Sequence, residues 1–104
     1  MKHAEQGDRL LEPEDNARLF KALGHPTRLK LLEYLLQVEH CYCNDLVLRF
    51  PYSQSTISQH LRLLRESGLI HSRPVGAKSR FSADRDALSR LTTCLSHLNA
   101  LNTP

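Results

Sequence analysis

Apolar residues recur at helical spacing through most of the chain. Leu19, Phe20 and Leu23 form a stripe ending at Gly24, on a helix that begins near Pro13 or Glu14 and carries Glu14 and Asp15 at its positive end. Pro26 suits the first turn of a second helix, with a core face of Leu29, Leu32, Leu35 and Leu36. After a break around Val38–His40, a third, shorter helix spans Asn44–Phe50 and stops at Pro51, which cannot continue the hydrogen-bond ladder. Ile57, Leu61 and Leu64 then repeat at i, i+4 and i+7 on a fourth helix, Ser53–Ser67, capped by Ser53 or Ser55 and closed by Gly68. The pattern changes beyond it. Leu69–Pro74 and Ser79–Ala83 read as two strands around a turn at Val75–Lys78, where Gly76 supplies the conformational freedom. Asp84 can cap a last helix with Leu88, Leu91, Leu95 and Leu98 on one stripe. The expected order is α-α-α-α-β-β-α, mainly α with a β-hairpin. Residues 1–13 read as a flexible N-terminal segment, 14–98 as one domain, and 99–104 as a frayed C-terminus.

Charge changes this picture through its placement. Fourteen Lys and Arg against eleven Asp and Glu leave only +3 over 104 residues, too little to indicate a nucleic-acid partner. Residues 1–48 carry six basic and eight acidic side chains, a net of −2. Residues 49–90 carry eight basic side chains against Glu66, Asp84 and Asp86, a net of +5. A basic second half beside an acidic first half suggests one surface built for a polyanion.

Several classes fall away. No apolar run approaches the roughly 18 residues needed to span a bilayer. Met1–Pro13 is polar and lacks a signal-peptide core, so a cytoplasmic address is the default. An odd count of three cysteines speaks against a disulfide framework. There is no phosphate-cradling glycine loop, no paired-histidine zinc motif and no nucleophile–base pair, so an enzyme is the least favoured reading. No cofactor is needed for folding.

The third and fourth helices, joined by a tight turn, form a helix-turn-helix. Away from its buried face the fourth presents Ser53, Gln54, Ser55, Thr56, Ser58, Gln59, His60 and Arg62. Gln and Arg can contact base edges in bidentate fashion, and Ser and Thr reach bases or phosphates. A solvated helix surface is the bland alternative. The hairpin tip carries Arg73, Lys78 and Arg80, suited to flanking phosphates or the minor groove, although alone it would read as an ordinary charged turn. Together they make a winged helix-turn-helix, and double-stranded DNA becomes the expected partner. One recognition helix reads only a few base pairs, so a homodimer on an imperfect inverted repeat is expected.

Cys41 and Cys43 flank Tyr42 just before, or within, the first turn of the third helix. Soft thiolates select As(III), Sb(III), Cd(II), Pb(II) or Zn(II). Residues i and i+2 lie roughly 200° apart on a regular helix, so joint ligation requires this segment to be non-helical or to distort. Oxidation by peroxide or reactive sulfur is the alternative trigger. Cys94 reads either as a small buried hydrophobe or as a third ligand.

The runs Phe20-Lys-Ala-Leu-Gly-His-Pro-Thr-Arg-Leu-Lys-Leu-Leu, Cys41-Tyr-Cys43 and Ser53-Gln-Ser-Thr-Ile-Ser-Gln-His-Leu-Arg-Leu-Leu-Arg-Glu-Ser-Gly-Leu-Ile resemble the ArsR/SmtB repressors over roughly residues 14–98. The resemblance implies a homodimeric winged-helix repressor that releases its operator when an inducer binds, with the first and last helices at the dimer interface. It places Cys41 and Cys43 on the Cys-x-Cys inducer motif of arsenic- and cadmium-sensing members. Arsenic sensors often carry a third cysteine shortly afterwards. Leu46 or Val47 occupies that region here, so a third ligand would come from Cys94, His40, His3 or the other subunit. Other members bind zinc between their last helices, and Asp84, Asp86, His97 and Ala100 fall on those spacings. The first histidine is thus an aspartate and the last ligand is absent, so this second site reads as degenerate. A winged-helix module used only for protein contacts is the remaining alternative, and it would bind DNA weakly and without steep salt dependence.

Overall fold

The computed structural model describes residues 12–103. The expected flexible segment therefore lies outside the described residues except for Glu12 and Pro13, and so does His3. Helix α1 (Pro13–Leu23) opens on a proline with Glu14 and Asp15 in its first turn, and closes at Gly24. Helix α2 (Pro26–Gln37) is capped by His25, whose ring accepts a hydrogen bond from the Thr27 N–H at 3.1 Å. A short strand β1 (Cys41–Tyr42) leads into α3 (Cys43–Arg49), where the Asp45 carboxylate accepts from the Tyr42 N–H at 2.9 Å. Helix α4 (Gln54–Ser67) starts on Ser53, whose hydroxyl accepts from the Thr56 N–H, and ends on Gly68 in the left-handed region at φ 93°. Strands β2 (Ile70–Val75) and β3 (Lys78–Ala83) form the hairpin, and α5 (Arg85–Leu101) is capped by the Asp84 side chain.

The hairpin turn is only Gly76–Ala77, with Gly76 at φ 61°, the left-handed value a two-residue turn needs at its first central position. Sheet order is β1-β3-β2, antiparallel throughout, with Cys41 opposite Phe81 and Tyr42 opposite Arg80. The expected α-α-α-α-β-β-α order therefore needs one more strand. Two residues are too few for an alternating pattern to register, and β1 exists because the edge of β3 has backbone groups to satisfy.

One core joins all the elements. Leu19 and Ala22 of α1, Leu31, Leu32 and Leu35 of α2, and Leu46 of α3 meet Ile57, Leu61 and Leu64 of α4. Leu69, Ile70, Phe81, Ala87 and Leu91 close it from the sheet and α5. The three α4 residues are essentially inaccessible and contribute about 1.5–3 kcal/mol each by burial. Leu29, expected on the core face of α2, is 52% exposed. Leu31 takes that place, because the arc through Leu31, Leu32 and Leu35 points Leu29 outward.

The α5 stripe divides. Leu91 is buried and Leu88 is half-buried, whereas Leu95 and Leu98 are each 54% exposed and Leu101 is 68% exposed. Residues 99–101, expected to fray, are helical, since Leu98-Asn99-Ala100-Leu101 contains no breaker. No helix among the described residues is long and apolar enough to cross a membrane.

Gly68 meets nothing within 4 Å of an added Cβ, so only its left-handed backbone resists substitution. Gly68→Ala is expected to lower the unfolding free energy by about 1–2 kcal/mol without altering the fold, measured by urea titration with the slope unchanged.

Candidate nucleic-acid interface and thiol site

Pro51 forces the chain out of α3, and Ser53 then starts α4 after a short turn, as in a helix-turn-helix. Ser53 is occupied locally. Its hydroxyl accepts from the Thr56 N–H, donates to Thr56 Oγ1 at 2.9 Å and lies 3.2 Å from Ser55 Oγ. Ser53 therefore builds the helix start, and Thr56 is partly withdrawn with it. Gln54, Ser55, Ser58, Gln59 and Arg62 remain exposed, the last four around a shallow concavity of about 440 Å³.

His60 is placed differently from the rest of this polar set. It lies at the flank of the buried face, 4.6 Å between ring centroids from His25, with its Nδ1 3.3 Å from Arg28 Nη1. Burial, then the neighbouring His25, then Arg28 hold its pKa below the usual 6.5. The turn from Ile57 to His60 is three residues, which brings a side chain back close to its starting face.

The wing is basic on its solvent side. Register places Arg73 directly opposite Arg80 and Val75 opposite Lys78, and alternation puts all of them on one face with His71 and Ser82. Like charges directly opposite repel, and an anion between them relieves the repulsion. Neither arginine has an ion-pair partner among the described residues. Lys78 Nζ sits 5.8 Å from the Tyr42 ring centroid, and Arg65 of α4 donates to Ser72 Oγ at 3.4 Å, tying the recognition helix to the wing.

The two thiols near α3 have unlike surroundings. Cys41 lies on β1 and Cys43 opens α3, so the helical separation of i and i+2 does not apply. Cys41 is 4% exposed in the core, and burial, then Asp45 and Cys43, push its pKa up to about 11. Cys43 is half-buried, with Sγ 3.5 Å from Ser58 Oγ on the recognition helix. It faces a cleft of about 360 Å³ between α4 and the wing, which Tyr42, Gln54, Ser58 and Lys78 also line. Cys94 is half-buried on α5. No three His, Cys, Asp or Glu side chains among the described residues stand close enough to hold a metal ion.

The weak second site is likewise dispersed within one chain. Asp84 uses one carboxylate oxygen to cap α5 through the Ala87 N–H and the other to meet His71 Nε2 at 2.7 Å. Asp86 is in the first turn of α5, while His97 lies roughly 20 Å along the helix from Asp84, at 1.5 Å rise per residue. Reading the sequence missed the roles of His25, Arg28 and His71. For His25 a signal exists, since a residue just before a helix-opening proline sits at the cap position.

The winged helix-turn-helix with its exposed polar α4 and cationic hairpin has clear relatives. Residues 25–72 match the bacterial regulatory protein, arsR family. A probable mercury resistance operon repressor of Streptomyces lividans is 36% identical over 91 residues, spanning 85% of this chain and 72% of that protein. The chain belongs to the ArsR family. An arsenical resistance operon repressor of Staphylococcus xylosus is 32% identical over 81 residues, 78% of this chain and 77% of the relative. The structure of an ArsR-like transcriptional regulator from Rhodococcus sp. RHA1 superposes with a TM-score of 0.75 at 30% identity, covering 84% of this chain and 81% of that one. This ArsR-family chain is thus a DNA-binding transcriptional regulator and not an enzyme.

At neutral pH the Cys41 thiol holds about a hundredfold less thiolate than an ordinary cysteine, and it is shielded from solvent. Alkylation with iodoacetamide at pH 7.5, followed by peptide mass spectrometry, is expected to label Cys43 at least about tenfold faster than Cys41. Equal rates would show that Cys41 leaves the core readily.

Proposed function

We propose that this protein is a dimeric repressor of the cytoplasm that binds an imperfect inverted repeat and releases it when a thiophilic metal or metalloid, such as As(III) or Sb(III), takes Cys41 and Cys43. The observation that carries the reading is the contact of Cys43 Sγ with Ser58 Oγ at 3.5 Å, which joins the thiol pair to the helix that reads DNA. The names of the Streptomyces and Staphylococcus relatives, repressors of mercury and arsenical resistance operons, support the inducer class.

The physical route runs through Cys41. In the described conformation its thiol is a core side chain opposite Phe81, and Cys43 alone reaches solvent. One ion shared by both sulfurs favours conformations in which Cys41 has left the core and β1 has parted from β3. The inducer thereby binds the released conformation better, which is the only way a ligand can shift the equilibrium. Ser58 and Gln54 border the same cleft, so the movement displaces the recognition helix start. Remaining ligands would come from Cys94, His40 or the partner subunit.

Dimerisation is supported by Leu95, Leu98 and Leu101, whose side chains line one exposed face of α5. Base contacts are assigned to Gln54, Ser55, Ser58, Gln59 and Arg62, and phosphate contacts to Arg73, Lys78 and Arg80.

A duplex selected from a randomised library, then titrated with As(III), Sb(III), Cd(II), Zn(II) and peroxide, tests the reading. Wild type is expected to release the duplex on adding a metal or metalloid, and Cys41→Ser and Cys43→Ser to stay bound. Unchanged release in both variants overturns it, and release by peroxide alone favours the redox alternative. Arg80→Gln is expected to flatten the salt dependence of log affinity by about one unit of slope. Leu98→Asp is expected to shift the chain towards monomer in sedimentation velocity.

A further inference from the structure

Three side chains able to carry positive charge meet where α2 begins and α4 crosses it, and no carboxylate among the described residues forms an ion pair with them. His25 Nδ1 accepts from the Thr27 N–H at 3.1 Å, and so must hold a lone pair there. Arg28 Nη1 lies 3.3 Å from His60 Nδ1. A guanidinium can only donate, so that nitrogen of His60 is also an acceptor. The two imidazoles stand 4.6 Å apart between centroids, at 45°. Arg28 also donates through Nε to the Ala22 carbonyl, so one guanidinium ties the end of α1 to the middle of α4. Arg18, Lys21 and Glu66 line the adjoining crevice with Arg28, but none of them forms an ion pair or hydrogen bond with these three residues.

These contacts dictate the protonation state. His60 is therefore held neutral, with its proton on Nε2. A second proton on His60 sets N–H against Arg28 and places a cation beside a permanent one. We propose that His25, Arg28 and His60 form a proton-released latch that seats the recognition helix, with His25 and Arg28 as positioning residues that act on DNA binding through His60. The inference rests on α4 being the helix that reads DNA.

The sign follows from His60, whose folded pKa lies below 6.5. The unfolded chain takes up the proton first as pH falls. The stabilisation is fully present above about 6.5 and is lost as pH drops through the lower folded value. Simple electrostatics predicts the reverse for DNA, because added positive charge on the protein strengthens phosphate binding.

The test uses the full chain and three readouts. Long-range ¹H–¹⁵N spectra at pH 7.5 are expected to show the Nε2–H tautomer for both His25 and His60. Affinity for the library-selected duplex is expected to fall about fivefold or more between pH 7.5 and 5.5, relative to a scrambled duplex. Thermal denaturation is expected to show wild type losing about 5 °C more over that range than the variant His25→Asn/His60→Asn. Asparagine offers an oxygen acceptor near the position of Nδ1 and cannot titrate, so the double variant is expected to match wild type at pH 7.5 and to have a flat profile. His60→Asn alone serves if the double variant folds poorly. An Nδ1–H proton on either ring at pH 7.5, or identical pH profiles for wild type and variant, overturns the latch. If no duplex is bound specifically at any pH, the reading of α4 fails, and the spectra and melting curves still decide the latch.

Discussion

The seating of α4 on the core is the constraint on which everything else depends. Ile57, Leu61 and Leu64 are essentially inaccessible, held against α1, α2 and α3. That packing sets the angle at which Gln54, Ser58, Gln59 and Arg62 leave the surface. A recognition helix has little tolerance for a shifted axis, because base-edge hydrogen bonds are short and directional. The neighbouring groups each touch this helix from a different side. Cys43 meets Ser58 near its start, Arg28 meets His60 at its middle, and Ser72 of the wing accepts from Arg65 near its end. A ligand or proton that alters one of these contacts acts on the same element.

The two thiols beside α3 are unequal members of the proposed sensing pair. Cys43 is half-buried beside the cleft, while Cys41 is a core residue whose thiol resists ionisation. In the proposed mechanism the unequal burial is what makes ligand binding and conformational change the same event. A pair equally exposed on one surface would bind an ion without disturbing the recognition helix, and coupling would be lost. The charge division serves the same economy of size. The acidic first half contributes the scaffold, and Arg62, Arg65, Arg73, Lys78 and Arg80 gather on α4 and the hairpin, so a chain with little net charge still presents a cationic face.

Much of the architecture was legible in the residues. Pro13, Pro26, Ser53, Gly68 and Asp84 are local punctuation, and each stands at the helix end that its backbone chemistry suggests. The wing followed from Gly76 between two short segments that read as strands. Strand β1 was not legible, because two residues carry no period and pair only when β3 is already present. The exposure of Leu29 escaped for a related reason, and the stripe of the last helix read equally as core or as dimer interface. Periodicity marks a leucine as one of a stripe, but which stripe is covered depends on the neighbours that arrive.

The sequence by itself determined where most of the helices begin, the hairpin, the polar face of α4 and the family. These rest on interactions within a few residues, or on motifs carried whole by the chain. Only the tertiary structure decided that Cys41 is core and Cys43 is surface, that His60 turns towards His25 and Arg28, and that Arg73 stands opposite Arg80. Each of these depends on residues distant in the chain meeting at a few ångströms, and the burial and charge that set their chemistry come into being only when they meet.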